Sequence, residues 1–168
     1  MKAKWILIAL VVILLLSVIV AFAAPHHYEP IALIQGVKFG MSPSEVQSIF
    51  GRADSEKEST LSPELDLFYE STYGGLPTEY HFRFVRVMLH YELYEAGITC
   101  RTNSESEREM ISATVLEQLK DAYGKLDGYY EEVTEEESHV GVSRGAVQIS
   151  AVVETDSSVV HAQLSRIY

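Results

Sequence analysis

The first hydrophobic stretch of the chain is continuous, not periodic: between Trp5 and Ala24 there is no charge, and Ser17 is the one polar interruption. At about 1.5 Å per helical residue this run reaches roughly 30 Å, the thickness of a bilayer's hydrocarbon core. Residues 1–24 therefore read as a signal peptide or a transmembrane anchor. Lys2 and Lys4 precede the run and predict a cytoplasmic N-terminus, with everything after Ala24 outside. Ala21-Phe22-Ala23 is an A-x-A pattern open to cleavage after Ala23, which would give a secreted chain. Pro25 disfavours that cut, and the apolar core exceeds the roughly 7–15 residues of a cleaved signal, so the balance tilts toward an uncleaved anchor. No cysteine stands directly behind the run, which closes the lipoprotein route.

Beyond it the pattern turns periodic. Residues 25–30, Pro-His-His-Tyr-Glu-Pro, form a tether with two prolines and no apolar period. Ile31 to Phe39 reads as a first strand ending at Gly40. Ser42-Pro43-Ser44-Glu45 is a capping box with proline in the first turn, and Val46, Ile49 and Phe50 make one helical face closed by Gly51. Arg52 to Pro63 is a polar connection, Leu67 to Tyr73 a strand, and Gly74-Gly75-Leu76-Pro77 a turn. Tyr80, Phe82 and Phe84 then alternate, and Val85, Val87, Leu89, Tyr91 and Leu93 continue one residue out of step, which predicts a bulge or bend near Phe84-Val85. The main helix spans 103–123, capped by Ser104 with Glu107, and turns Ile111, Val115, Leu119 and Ala122 to a sheet. Four segments, 129–134, 139–143, 146–154 and 159–167, complete an antiparallel meander in which Val147, Ile149, Ala151 and Val153 alternate.

Residues 46–54 and 119–127 align as aromatic, glycine, base and aspartate at matching places. Either two similar units share one sheet, or two helices merely end on the same glycine cap. The fold class expected is α+β: an antiparallel sheet of about six strands with two helices packed on one face, forming an extracytoplasmic domain over 31–168 behind the N-terminal signal or transmembrane helix.

Charge narrows the partners. Outside the export segment, 13 − 2 = 11 basic residues face 24 acidic ones, a net of −13. Such a surface repels phosphate backbones, and no basic stripe or aromatic-arginine platform offsets it, so nucleic acid is not an expected partner. The lone cysteine, Cys100, excludes an internal disulfide and reads as a half-buried, unreactive side chain. None of the six histidines has a ligand-spaced partner. The acidic cluster Glu131, Glu132, Glu135, Glu136 and Glu137 lacks the alternating ligands and central glycine of a calcium loop. No nucleophile elbow or Ser-x-x-Lys is present. No cofactor, metal site or catalytic residue is expected. Tyr69, Tyr73, Tyr80, Tyr91 and Tyr94 are the candidate interaction surface, because tyrosine joins large contact area to a polar tip. Sheet packing explains the same residues.

Gly36-Val37-Lys38-Phe39-Gly40-Met41-Ser42, with Glu45-Val46 and Phe50-Gly51, resembles the opening of small exported α/β domains of the SmpA/OmlA type. It also looks like the repeat unit of β-lactamase-inhibitor-like proteins. The match covers about Gly36 to Asp54. It implies short helices on an antiparallel sheet and a role in binding proteins without catalysis; no binding residue carries over, and the lipid-bearing cysteine of the SmpA/OmlA lipoproteins is missing. The function expected is thus a membrane-anchored, non-catalytic protein-binding or scaffolding domain at the cell envelope, holding the membrane through residues 5–24 and another envelope protein through its domain. The alternatives are a small exported hydrolase whose carboxylates, from Glu92, Glu95 and the 131–137 region, meet only in three dimensions, and a regulator of a neighbouring membrane protein in cis.

Overall fold

The computed structural model describes residues 30–133, 137–144, 147–156 and 158–167. The apolar run, most of the tether with His26 and His27, and Glu135 and Glu136 lie outside the described residues. Among the described residues no helix is long and apolar enough to cross a membrane.

Helix α1 (Pro43–Phe50) is followed by strands β1 (Ser55–Glu58), β2 (Glu64–Tyr73), β3 (Leu76–Val87) and β4 (His90–Arg101); helix α2 (Glu105–Tyr123) is followed by β5 (Tyr129–Val133), β6 (Glu137–Arg144), β7 (Val147–Asp156) and β8 (Val159–Ile167). All eight strands join one antiparallel sheet in the order β1-β2-β3-β4-β8-β7-β6-β5. The class is α+β, with eight strands where about six are expected. The two helix-plus-meander units meet at the antiparallel β4–β8 pair, where Ile98 faces Ala162, and β1 and β5 form the outer edges. Both helices do end on a glycine cap, whose amide donates to the carbonyl four residues back, Gly51 to Gln47 and Gly124 to Lys120, but Gly51 has φ 84 and Gly124 has φ −61, so the two ends differ in conformation.

Capping follows the sequence closely in α1. The Ser42 amide donates to Glu45 Oε2 at 2.8 Å and the Glu45 amide to Ser42 Oγ at 3.4 Å, a complete capping box. In α2 the Glu107 amide donates to Ser104 Oγ, but the Glu107 carboxylate accepts from the Asn103 amide one residue earlier. The buried stripe of α2 is Ile111, Val115, Leu119 and Tyr123, a strict four-residue step that leaves Ala122 exposed.

Three other expectations are corrected. Residues 31–39 are not a strand: Ile31, Leu33, Ile34, Val37 and Phe39 are all buried but do not alternate, and turns closed by Ile34 N–H to the Ile31 carbonyl and Val37 N–H to the Ile34 carbonyl fold them into the core. The run from Tyr80 to Leu93 is two strands, divided at Met88-Leu89, where Val87 pairs with His90. The polar connection holds a strand, β1, whose four residues are exposed and which exists because β2 offers it a ladder. Charged side chains on so short an edge also discourage edge-to-edge association.

Leu67, Phe82, Ala96 and Leu164 run opposite one another across β2, β3, β4 and β8, each wholly buried, and mark the core-facing side of the sheet. Phe50 seats α1 there, with ring centroids 5.2 Å from Tyr69, 5.2 Å from Phe82 and 5.7 Å from Tyr80. Helix α2 covers β6, β7 and β8. Both helices thus lie on one face.

Candidate functional site

The face without helices is polar. Across it, Asp66 pairs with Arg83, Arg83 with Glu95 and Glu95 with Ser165; one rung on, Phe68 pairs with His81, His81 with Gly97 and Gly97 with Gln163. A bulge in β4 makes this possible. Arg83 pairs with Glu95 but Phe84 pairs with Leu93, leaving Tyr94 as the extra residue. Glu92 and Glu95, three residues apart, consequently fall opposite Val85 and Arg83, two residues apart on one face. Without the extra residue, strict alternation would turn one of the two toward the core. The bend anticipated near Phe84-Val85 is therefore a register shift at Arg83/Phe84, carried by the partner strand.

Arg83 is the centre of the site. Its Nε donates to Asp66 Oδ1 at 2.8 Å and its Nη1 lies 3.0 Å from Glu95 Oε1. That second contact is ionic only, since Glu95 Oε1 is buried with no partner in hydrogen-bond geometry. Burial would lower the pKa of Arg83, but the hydrogen bond to Asp66 and the charges of Glu95 and Asp66 outweigh it and hold the guanidinium protonated. Glu95 is pushed the other way: desolvation raises its carboxyl above the ordinary value, and Arg83 offsets only part of that. His81 Nε2 shares Asp66 Oδ1 at 3.2 Å, its ring stacked on Phe68 with centroids 4.7 Å apart. The Tyr94 hydroxyl donates to Glu64 Oε1 at 3.0 Å, and burial together with that bond pushes the phenol up to about 12. His90 Nε2 lies 2.7 Å from Glu92 Oε1. At the sheet centre Thr99 Oγ1 meets His161 Nδ1 at 2.9 Å, and His161 Nε2 meets Gln163 Oε1 at 3.2 Å.

Beside Arg83 an open depression of about 430 Å³ is lined by residues 57–61 together with Glu64, Asp66 and Arg83. In the lining the carboxylates Glu58, Glu64 and Asp66 outnumber the cations Lys57 and Arg83, and Glu95 lies against Arg83, so the arrangement suits a cationic group better than an anionic one. Among the described residues no three His, Cys, Asp or Glu side chains converge as a metal site would require.

The five candidate tyrosines do not share a surface. Tyr69 and Tyr80 are buried on the helix side beneath Phe50, with hydroxyls toward the Gly51 and Thr72 carbonyls. Tyr73, half-buried, ties the sheet to α2 through Gln118 Oε1 at 2.7 Å. Tyr91 donates to Glu58 at the β1 edge. Tyr94 belongs to the polar face. Of the carboxylates considered for chemistry, Glu92 and Glu95 come together there, whereas Glu131 sits at the far edge, 3.7 Å from Lys120. Cys100 is wholly buried, not half-buried; it accepts from Thr78 Oγ1 at 3.3 Å, and burial raises its thiol. Asp66 and Arg83 escaped the sequence reading. Their signal was a charge between two core residues: Asp66 between Leu65 and Leu67, Arg83 between Phe82 and Phe84.

Compared with known protein families, curated proteins and solved structures, the chain matches none.

Proposed function

We propose that this chain is a membrane-anchored, extracytoplasmic domain that binds another envelope protein, without catalysis, through the helix-free face of its sheet. The observation that carries the reading is the division of labour between the two faces. Both helices close one side over a continuous apolar core, while the other presents a broad sheet surface whose polar and charged side chains are held in place by one another. Arg83 is fixed by Asp66 and Glu95, Tyr94 by Glu64, and His161 by Thr99 and Gln163. Side chains ordered before binding lose little entropy on contact, which favours recognition. The excess of carboxylates, with the net charge of the domain, makes a basic surface the fitting partner. The apolar run at residues 5–24 supports export and anchorage.

The test is crosslinking of tagged full-length protein in native membranes, comparing wild type with two charge reversals. Glu70 and Glu79, opposite one another in β2 and β3 and both exposed on the polar face, would be changed to arginine; Glu117→Arg on exposed α2 is the control. The reading expects one envelope protein captured by wild type and by the α2 variant, and lost with Glu70→Arg/Glu79→Arg. Capture that survives the sheet-face reversal sinks it.

One observation favours a second reading, a small exported hydrolase. Glu95 is a buried carboxyl with a raised pKa in contact with Arg83, which lines the depression together with Glu64 and Asp66, a combination that suits a general acid. Turnover of an ester or glycoside panel, abolished by Glu95→Gln, would support it.

A further inference from the structure

The connection between β1 and β2 (residues 59–63) and the Met88-Leu89 turn between β3 and β4 lie side by side at one end of the sheet, since the Arg86 amide donates to the Pro63 carbonyl at 2.8 Å. Both display apolar tips. Leu61 is 99 % exposed, Leu89 83 % and Met88 66 %, the three most exposed large hydrophobics among the described residues. Neither loop needs them for its own packing, and water solvates such side chains poorly.

The chain reaches the domain at this same end. The Gly40 amide donates to the Leu93 carbonyl and the Leu93 amide to the Met41 carbonyl, both at 2.8 Å, which sets the N-terminal loop against the part of β4 nearest the Met88-Leu89 turn. Pro30 bridges to Lys38 in that loop, and its carbonyl accepts from Tyr123, at the end of α2 closest to it. From Leu93 to the turn is four residues, about 13 Å of strand. Residues 25–29 can span at most about 17 Å. The described chain therefore begins, at Pro30, in a loop docked on the part of β4 next to these tips. Exposed Lys57 and Arg86 stand beside the Glu58 and Glu64 carboxylates at this end, and a zwitterionic surface carries no net charge to repel them.

We infer that Leu61, Met88 and Leu89 form a second membrane contact, seated in the interface of the zwitterionic bilayer that holds the anchor, so that the domain stands end-on with the polar sheet face perpendicular to the membrane and open to a partner. The inference rests on the anchored reading above. Three apolar tips are too few to hold a protein on a membrane alone, but beside an anchor they act at high local concentration and set orientation.

The test uses the full-length chain in phosphatidylcholine vesicles, with nitroxide labels placed singly at Leu61→Cys, Leu89→Cys, Ser71→Cys at the opposite end and Ile13→Cys in the apolar run, leaving the buried Cys100 unlabelled. Labels at 61 and 89 are expected to gain collisions with oxygen and lose collisions with a water-soluble nickel complex relative to position 71, with position 13 deeper still. If 13 is embedded while 61 and 89 match 71, or are shielded from both reagents as in a contact between two copies, the inference is overturned and the anchor stands. If 13 is itself in water, the anchor fails and the inference with it.

Discussion

The hydroxyl of Tyr123, the last residue of α2, donates to the carbonyl of Pro30 at 3.0 Å and accepts the Ala32 amide at 3.2 Å, pinning the start of the domain to a helix more than ninety residues away. The ring itself is buried. Tyr123→Phe keeps that packing and removes only the hydroxyl, leaving two backbone groups without their partner. We expect a loss of about 1–2 kcal/mol in stability, read as a lower denaturant midpoint at unchanged m. A change in m would instead mean that residues 30–39 detach before the rest unfolds.

Phe50 occupies the corresponding place for α1, where it meets three aromatic rings within 6 Å. Phe50→Ala should cost about 3 kcal/mol, near the lower end of phenylalanine truncations because the ring is not fully enclosed. The neighbouring Ile49 is 44 % exposed, so Ile49→Ala should change stability by about 0.5 kcal/mol or less. Equal effects from the two variants would mean that α1 is not seated by Phe50.

How much of this was legible depends on which interaction decides each element. The start of α1 was readable because Ser42, Pro43 and Glu45 settle it among themselves, and α2 because Ile111, Val115 and Leu119 keep a helical period through to Tyr123. Strand β1 was not, since Ser55, Glu56, Lys57 and Glu58 carry no β preference and pair only because β2 presents Leu65 to Phe68 in register. The loop at 31–39 failed for the opposite reason: its apolar residues suggest a strand locally, and only the core that receives them turns the backbone back. The site was hidden by the Tyr94 bulge, which brings Glu92 and Glu95 to one face although their spacing in sequence would separate them.

The Met88-Leu89 hairpin was missed because it lacks the usual turn residues. Gly74 and Gly75, with φ 59 and 83, close the β2–β3 hairpin in the left-handed region that such loops demand. Met88 takes φ 54 without glycine's freedom, the one described non-glycine residue to do so. Its side chain is mostly solvent-exposed, so little packing is lost on removing it. Met88→Gly should stabilise the domain by about 1 kcal/mol. Thermal unfolding of the two proteins side by side decides the matter, and an unchanged or lowered midpoint would mean that methionine bears this backbone at no cost.

Glu95 gives the polar face a dependence on pH whose sign follows from its raised pKa. Burial lifts the carboxyl above its ordinary value of 4.5, and Arg83 and His81 only partly counter this, while Asp66 and Glu64 add to it. The folded state therefore binds this proton more tightly than the unfolded chain. The stabilisation from Glu95 is complete below the unfolded value and is lost as pH rises through the folded one. Glu95→Gln keeps the shape of the side chain, yet cannot ionise. The stability of wild type minus that of Glu95→Gln should fall as pH climbs from below 4.5 toward neutrality, leaving the variant at least as stable at neutral pH. Parallel curves would show that Glu95 titrates alike in both states and that Arg83 fully compensates its burial; a difference rising with pH would show that the ion pair at 3.0 Å outweighs desolvation. Arg83→Met, by removing the main opposing charge, should move the loss in the Glu95 contribution to higher pH, a shift that chemical denaturation across the same pH series would resolve.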